Sequence, residues 1–533
     1  MFHQPQVKRR FALETFKTRS KSKRPLALDK IKQKREKLIQ LLLYTLAFTF
    51  ILSLESFYDL FFTIEISKES STTNPGLLFS FLGKNVFFQM LSHFFFCLFV
   101  NTLWAWIMIV HFPQVLRNKR HLTLIYLILL STLFCSKLVV LYHLSPFLIP
   151  LGLMAYLFGL VFAPSFALAL LPFLSLYIAY TFYSAYGVEH TLEQLLSSFR
   201  VSCALLFGVL VMIALCKQVT KRNKLTLTGV ALGGAHFLCL SLFYTLGTPT
   251  PETSVFLQEV FYGVASGVLT GLFLSGFLPF LESWFDFITD ISLLELSVGT
   301  NPLLEKMLLE APGTFHHSMM VGILAEAAAD SIGARSLLAR VGAYYHDIGK
   351  LVRPEYFTEN ATYQKSKHEA LTPLLSTLII LAHVKDGAEL GKLYSLPTSI
   401  REIIVQHQGC SVVQYFYVEA LKDPQYREDF PEHKEKENKE FFRYPGPKPQ
   451  SKEAAIVFIA DSIEAASRSL SDPSPAKLEA LINKIVYSKL IDQQLEDCDL
   501  TFKELNSIKT SLLNILISLF HTRVKYPEAP KLV

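Results

Sequence analysis

Apolar positions run almost without interruption through the first half of the chain and recur at helical spacing in the second. Leu38–Leu54, Asn85–Leu116, Leu138–Val188, Leu225–Pro251 and Val260–Leu281 contain no Asp, Glu, Lys or Arg. A helix needs about 20 apolar residues to cross a bilayer. The stretch 138–188 is long enough for two crossings, with Pro164 and Ser165 at the break. Adding 121–142 and 201–216, the pattern predicts eight spans: 37–55, 87–111, 121–142, 144–162, 166–186, 201–216, 226–246 and 258–281. After residue 282 charges return, apolar residues fall at helical spacing, and alternating β-branched runs are few. The expected fold class is therefore all-α, a polytopic helical membrane domain followed by an all-helical cytoplasmic domain. Pro302 and Pro312 divide the link between them into short helical pieces, 421–443 reads as a charge-dense loop, and "RYPGPKPQ" (443–450) as a turn.

Composition agrees with this division. Of 533 residues, 51% are hydrophobic and only 18% charged; the mean hydropathy of +0.34 is too high for an ordinary soluble protein. Residues 1–37 carry 13 Lys/Arg against three acids. The length of this basic leader and the lack of a small-residue cleavage site argue against a signal peptide. It reads as a solvated tail with some attraction to anionic lipid. No aromatic platform is interleaved with its charges, so no nucleic-acid polymer is expected as partner. The basic loops 111–121 and 217–224 should face the cytoplasm, and the acid-rich or nearly uncharged loops 55–84, 187–200 and 247–259 the outside. Both chain ends would then be cytoplasmic, in a multi-pass protein of the cell membrane. Lys137 is expected to snorkel to the outer interface, and His93 and Asn101 to form interhelical hydrogen bonds. The seven cysteines contain no CxxC pair, and five of them lie in apolar spans, where they act as small hydrophobes.

The chemistry lies in polar residues set into apolar runs of the second half. "VGAYYHDIGKL" (341–351) places His346 and Asp347 side by side after an apolar helical face. His317 lies on the packing side of "APGTFHHSMMVGILAEAAADSIG" (311–333), for which Thr314 is a fair N-cap and Gly333 a fair stop. His383 closes "TLIILAH", His407 closes "REIIVQH", and Asp461 follows "AAIVFIA". A lone histidine on an apolar face is more often a satisfied core residue, and a lone aspartate a cap. Several buried imidazoles and carboxylates together call for a cation. His316 points elsewhere, and His368 in "SKHEAL" has a polar setting that leaves both a site role and a solvated one open. Mixed His/carboxylate ligation suits Mn, Fe or Zn. Two such ions about 3.5–4 Å apart activate a water and clamp a phosphoryl oxygen, with Lys350, Arg353, Lys385 and Lys448 near enough to steady an anionic substrate.

The H…HD…D pattern (His317, His346-Asp347, Asp461) is similar to that of HD-superfamily phosphohydrolases. "LLELSVGTNPLLEKMLLEAPGTFHHS", "LLARVGAYYHDIGKL", "HVKDGAEL", "FRYPGPKPQSKEAAIVFIADSIEAASRS" and "DCDLTFKEL" resemble, across about residues 286–530, the seven-transmembrane-receptor HD family, whose members include PgpH-type cyclic-di-AMP phosphodiesterases. The resemblance implies a di-metal centre, Mn or Fe, that opens cyclic di-AMP to linear pApA. It places His317, His346, Asp347 and Asp461 on one metal, Asp347 as bridge, and His383 and His407 on the other. His346 and Asp347 would be catalytic; Lys350, Arg353, Lys385, Asp386, Arg443, Tyr444 and Lys448 would meet substrate. A homodimer is also implied. The organisation expected is a basic tail (1–36), a first span (37–55), a short outer segment (56–86), a seven-helix membrane domain (87–282), linker helices (283–312), an HD domain (313–475) and a C-terminal helical segment (476–533). Two departures stand out. "QHQGC" has Gln408 where the family usually has a second histidine, and the outer segment is far shorter than usual. Gln408 makes a weak metal or substrate contact the expectation there. Two alternatives stay open: hydrolysis of another nucleotide, and, because of Gln408, a catalytically weak nucleotide-binding receptor or scaffold.

Overall fold

In the computed structural model, the described residues fall, apart from short interruptions, between 91 and 170, 192 and 246, 253 and 360, 367 and 422, and 439 and 520. They are helical throughout. No strand occurs among them, only an isolated antiparallel bridge between Val412 and Arg443. The chain divides into two compact units, Met1–Pro279 and Phe280–Val533.

In the first unit the described helices are α1 (Leu98–His111), α2 (Lys119–Leu141), α3 (Leu151–Val161), α4 (Leu192–Cys216), α5 (Arg222–Thr245) and α6 (Thr253–Phe285). Among the described residues four helical stretches are long and apolar enough to cross a membrane: Arg120–Val139, Phe199–Cys216, Arg222–Thr245 and Thr253–Phe285. The spans expected at 144–162 and 87–111 meet shorter apolar helices, Pro146–Val161 and Leu98–His111. The spans expected at 37–55 and 166–186 lie wholly or mostly outside the described residues, as does His93. Within hydrocarbon, helices associate through close packing of small residues. Here Gly229 and Gly233 of α5 face Gly267 and Gly271 of α6, and a Cβ at Gly229 or Gly267 would collide with backbone across the pair. α4 begins earlier than its apolar run, so Arg200 sits inside the helix; its guanidinium meets Glu259 of α6 at 2.7 Å.

In the second unit α7 (Asp290–Ser297), α8 (Pro302–Glu310) and α9 (Pro312–Asp330) follow the linker sequence. Pro302 and Pro312 stand at the first turns, where their missing N–H is no loss. The remaining helices are α10 (Ser336–Tyr345), α11 (Pro373–Leu393), α12 (Thr398–Gln406), α13 (Gln414–Lys422), α14 (Lys452–Ser467), α15 (Pro475–Ile491) and α16 (Phe502–Leu519). α14 lies at the centre: every side chain from Ala454 to Asp461 is buried. A helix apolar on all sides belongs inside a core, and "AAIVFIA" is such a run. α9, α10 and α12 pack around it, with Val321, Leu324, Val341, Tyr345, Ile400 and Ile404 fully buried in the same cluster. The expected loop at 421–443 lies mostly outside the described residues.

Candidate metal centre

His317 comes from α9, His346 and Asp347 from the end of α10, His383 from α11, His407 from the C-cap of α12 and Asp461 from α14. All six side chains are buried and meet in one place. Adjacent residues of a helix point about 100° apart; a change of backbone at Asp347 removes that obstacle. α10 gives way to a tight turn, Ile348–Val352, and Asp347 has φ −107° and ψ 14°, in the sparsely populated bridge region. A Cβ at Gly349 would overlap the His383 carbonyl of α11, so glycine lets this turn lie against that helix.

One expectation about a helix start needs correction, and two apolar runs end where their helices do not. His383 and Asp461 lie inside helices that continue to Leu393 and Ser467. The apolar run stops at each because the site begins there, while the helix goes on. Thr314 is not an N-cap: α9 begins at Pro312. The Thr314 N–H is instead received by Asn360 Oδ1 at 3.1 Å, and its hydroxyl donates to Glu359 at 3.2 Å.

Hydrogen bonding decides which ring nitrogens face the centre. The Nδ1 atoms of His346, His383 and His407 lie 2.6, 2.6 and 2.7 Å from the carbonyls of Ala343, Ile380 and Ile404. A carbonyl can only accept, so each Nδ1 carries the proton and each Nε2 lone pair turns inward. His317 gives Nδ1–H to the buried Glu464 carboxylate at 2.5 Å, with the same result. These second partners are what a metal-binding imidazole needs. Asp347 lies among the Nε2 atoms. Its Oδ2 is 3.2 Å from His346 Nε2 and 3.7 Å from His317 Nε2; its Oδ1 is 3.4 Å from both His383 and His407 Nε2. Asp461 Oδ1 stands 3.0 Å from His317 Nε2 and 3.7 Å from His346 Nε2.

The cluster therefore points acceptor at acceptor. His383 and His407 set Nε2 against Nε2 at 3.1 Å. Among the described residues His346 Nε2 and Asp347 Oδ1 are buried without a hydrogen-bond partner, a state that costs about 1–3 kcal/mol per atom. Protons or cations relieve such a site, and the groups His317–His346–Asp461 and His346–Asp347–His407 have the reach to hold metal. Charge agrees. Burial opposes ionisation of Asp347 and Asp461, but His346 and Lys350 beside the first, and His317 and His346 beside the second, keep both well below the usual carboxylate range. Burial pulls His346 down, and the two carboxylates outweigh it, raising it to about 10. Burial dominates at His383, held at about 4.

The other expected site residues are placed as follows. Lys350 turns inward and bonds Asp347 Oδ2 at 2.7 Å and Glu359 at 2.6 Å, pinning the carboxylate. Gln408 donates its amide to Asp461 Oδ2 at 2.9 Å. Tyr444 is buried edge-to-face on His383 at 5.9 Å. Arg443 forks onto Asp492 at 2.8 and 2.9 Å and bonds the Cys410 carbonyl. Lys448 meets Glu496 at 3.2 Å. Arg353 is exposed, and Lys385 faces solvent beside Glu389, with Asp386 half-buried next to it. His368 stands apart from the cluster, its Nε2 at 2.8 Å from the Tyr356 carbonyl. Sequence reasoning missed Glu464, Glu359 and Arg468. Arg468 bonds both Glu464, at 2.5 Å, and His316, at 3.2 Å. A sequence signal existed: Glu464 and Arg468 follow Asp461 at three and seven residues, on one face of α14.

Residues 87–289 match the family model described as "7TM receptor with intracellular HD hydrolase", and 314–466 match the HD domain. The chain is 47% identical over 271 residues to the cyclic-di-AMP phosphodiesterase PgpH of Bacillus subtilis (strain 168), covering 51% of this chain and 37% of that protein. It is 40% identical over 319 residues to the protein of the same name from Listeria monocytogenes serotype 1/2a (strain 10403S), covering 59% and 43%. The chain thus spans about two fifths of the length of these relatives. The crystal structure of the L. monocytogenes PgpH HD domain in complex with cyclic-di-AMP is 48% identical, covering 42% of this chain and all of that one, with a TM-score of 0.39.

Proposed function

We propose that this chain, whose residues 87–289 and 314–466 match the two family models, is a member of the seven-transmembrane-receptor HD-hydrolase family and a metal-dependent phosphodiesterase, anchored in the membrane, that opens cyclic di-AMP to pApA. The observation carrying this reading is the convergence of four imidazole lone pairs on the two oxygens of one buried aspartate, in a chain similar to two proteins named cyclic-di-AMP phosphodiesterase. His317, His346, Asp461 and Asp347 Oδ2 would hold one divalent ion; His383, His407 and Asp347 Oδ1 would hold the other. The mixed imidazole and carboxylate donors suit Mn or Fe. Such a pair of ions supplies an activated water and positive charge at a phosphoryl oxygen.

The chain's own residues prepare that chemistry. Lys350 fixes the Asp347 carboxylate that would bridge the ions, and Glu464 holds the His317 tautomer. The Arg443–Asp492 fork secures the loop that carries Tyr444 against His383. Arg353, Lys385, Asp386 and Lys448 remain the groups assigned to the nucleotide, with Gln408 at the edge of the first metal lobe. In the wider reading the eight expected spans cross a cell membrane, the lipid bilayer is a partner, the HD domain is cytoplasmic, and two copies pair as a homodimer.

A second reading rests on Gln408. Its amide presents N–H to Asp461 where an imidazole would present a lone pair, so metal at the centre would be held by fewer donors. The protein would then bind nucleotide with little turnover. One experiment separates the readings. The full chain in lipid nanodiscs, with Mn²⁺ or Fe²⁺, is offered cyclic di-AMP, cyclic di-GMP and guanosine tetraphosphate, and products are resolved by chromatography. Conversion of cyclic di-AMP alone to pApA is expected. Conversion of a different nucleotide would move the substrate assignment, and tight binding without product would favour the receptor.

A further inference from the structure

Lys350 places a fixed cation against the centre. Its ammonium lies 2.7 Å from Asp347 Oδ2, an oxygen that would also hold a divalent ion. The lysine side chain is 14% exposed, and partly buried charges are screened far less than surface ones. An ammonium in that place opposes a metal ion on the same oxygen, by direct repulsion and by drawing on the carboxylate's charge. Glu359 stands on the far end of the pair. Its Oε1 lies 2.6 Å from the same ammonium. Burial opposes ionisation of Glu359, and the Lys350 ammonium outweighs it, holding the acid below its ordinary value. With Lys350 and Glu359 neutralising each other, Asp347 and Asp461 bring two negative charges to the cations; without Glu359 the balance falls to one. Glu359 is seated firmly. It accepts the Thr314 hydroxyl at 3.2 Å, and the adjacent Asn360 receives the Thr314 N–H and donates to the Thr314 hydroxyl at 2.8 Å. The turn Thr358–Asn360 is thereby tied to the first turn of α9, three residues before His317.

We infer that Glu359 is a positioning residue of the metal centre: as counter-ion to Lys350, it lets the lysine fix the Asp347 carboxylate while leaving that carboxylate's charge available to metal. The inference rests on the metal-centre reading and adds a residue outside the six candidate ligands.

The test uses the full chain in nanodiscs and a Mn²⁺ titration in competition with a fluorescent chelator, with no nucleotide present. Glu359→Gln keeps the shape and hydrogen bonds and removes the charge. It should weaken Mn²⁺ binding by about 10–100-fold, the range for a lost outer partner of a ligand. Adding Lys350→Met to that variant removes the uncompensated ammonium and should bring affinity back to within about threefold of wild type. A role confined to propping the turn predicts no such rescue, because the turn stays altered in the double variant. Glu359→Asp keeps the charge and should stay within about threefold, as should Thr314→Val, which removes only the hydroxyl contacts. If Glu359→Gln aggregates on size exclusion, Glu359→Met, also uncharged, takes its place in both arms. Unchanged affinity in the uncharged variant, or a double variant as weak as the single one, overturns the inference while wild type still binds two ions. Wild-type chain that takes up no Mn²⁺ overturns the metal-centre reading and this inference with it.

Discussion

At the scale of single residues, Asp347 divides the centre into two lobes, Oδ2 serving His317 and His346 and Oδ1 serving His383 and His407. A group shared this way has no substitute. Asp347→Ala should therefore lower bound metal from two ions per chain to at most one by elemental analysis, and abolish turnover; unchanged metal content would remove Asp347 from the ligand set. Glu464 acts one step back, fixing the His317 tautomer from a fully buried position. Losing a partner of this kind costs 10–100-fold in metal affinity, so Glu464→Ala should weaken metal binding by that factor in a competition titration. An effect confined to thermal stability would mark Glu464 as structural. Gln408→His adds an imidazole lone pair where an amide N–H now points, and should raise both metal affinity and turnover; a loss of turnover would mean that the amide contact to Asp461 is itself required. The candidate ligands themselves were legible because each polar group interrupts an apolar run. Glu464 and Glu359 were not, because a carboxylate on a helix or loop reads as solvated until its buried partner, distant in sequence, is known.

At the scale of elements, α14 and α15 pose a question of charge. Lys489, near the end of α15, lies with its ammonium 3.2 Å from the centre of the Phe458 ring on α14, and burial holds it down to about 7. In the unfolded chain its value is about 10.4. Below pH 7 both states hold the proton, and the folded state bears the full cost of a buried cation. Between pH 7 and about 10 the folded state releases the proton first, so stability rises with pH. Lys489→Met should therefore stabilise residues 280–533 at pH 6 by an amount bounded at about 5 kcal/mol, less whatever the Phe458 ring contributes to holding the cation. By pH 9 the gain should be much smaller. Urea unfolding at the two pH values checks this, and an equal gain at both would show that Lys489 titrates normally. Helical periodicity made the existence of these elements legible. Their ends were harder: the apolar pattern breaks at His383 and Asp461 although both helices continue, and the start of α9 was misread because the Thr314 N–H is satisfied by Asn360, far along the chain.

At the scale of the whole molecule, the two units draw their interiors from different physics. The first is a set of apolar helices packed through glycines, suited to lipid on the outside. The second has its own hydrophobic core around α14 and contains all six candidate ligands together with Lys350, Glu359, Glu464 and Tyr444. Every described residue that forms the centre lies after Phe280. Two consequences follow for residues 280–533 expressed alone. The fragment should bind two Mn²⁺ or Fe²⁺ ions with the affinity of the full chain, and should open cyclic di-AMP with kcat within about threefold. A fragment that folds cooperatively by circular dichroism, yet binds one ion or turns over a hundredfold more slowly, would show that the membrane unit completes the site. Such a defect would separate further by metal titration. If excess ion restored turnover, the membrane unit would act on ligand geometry; if it did not, the membrane unit would act on the nucleotide.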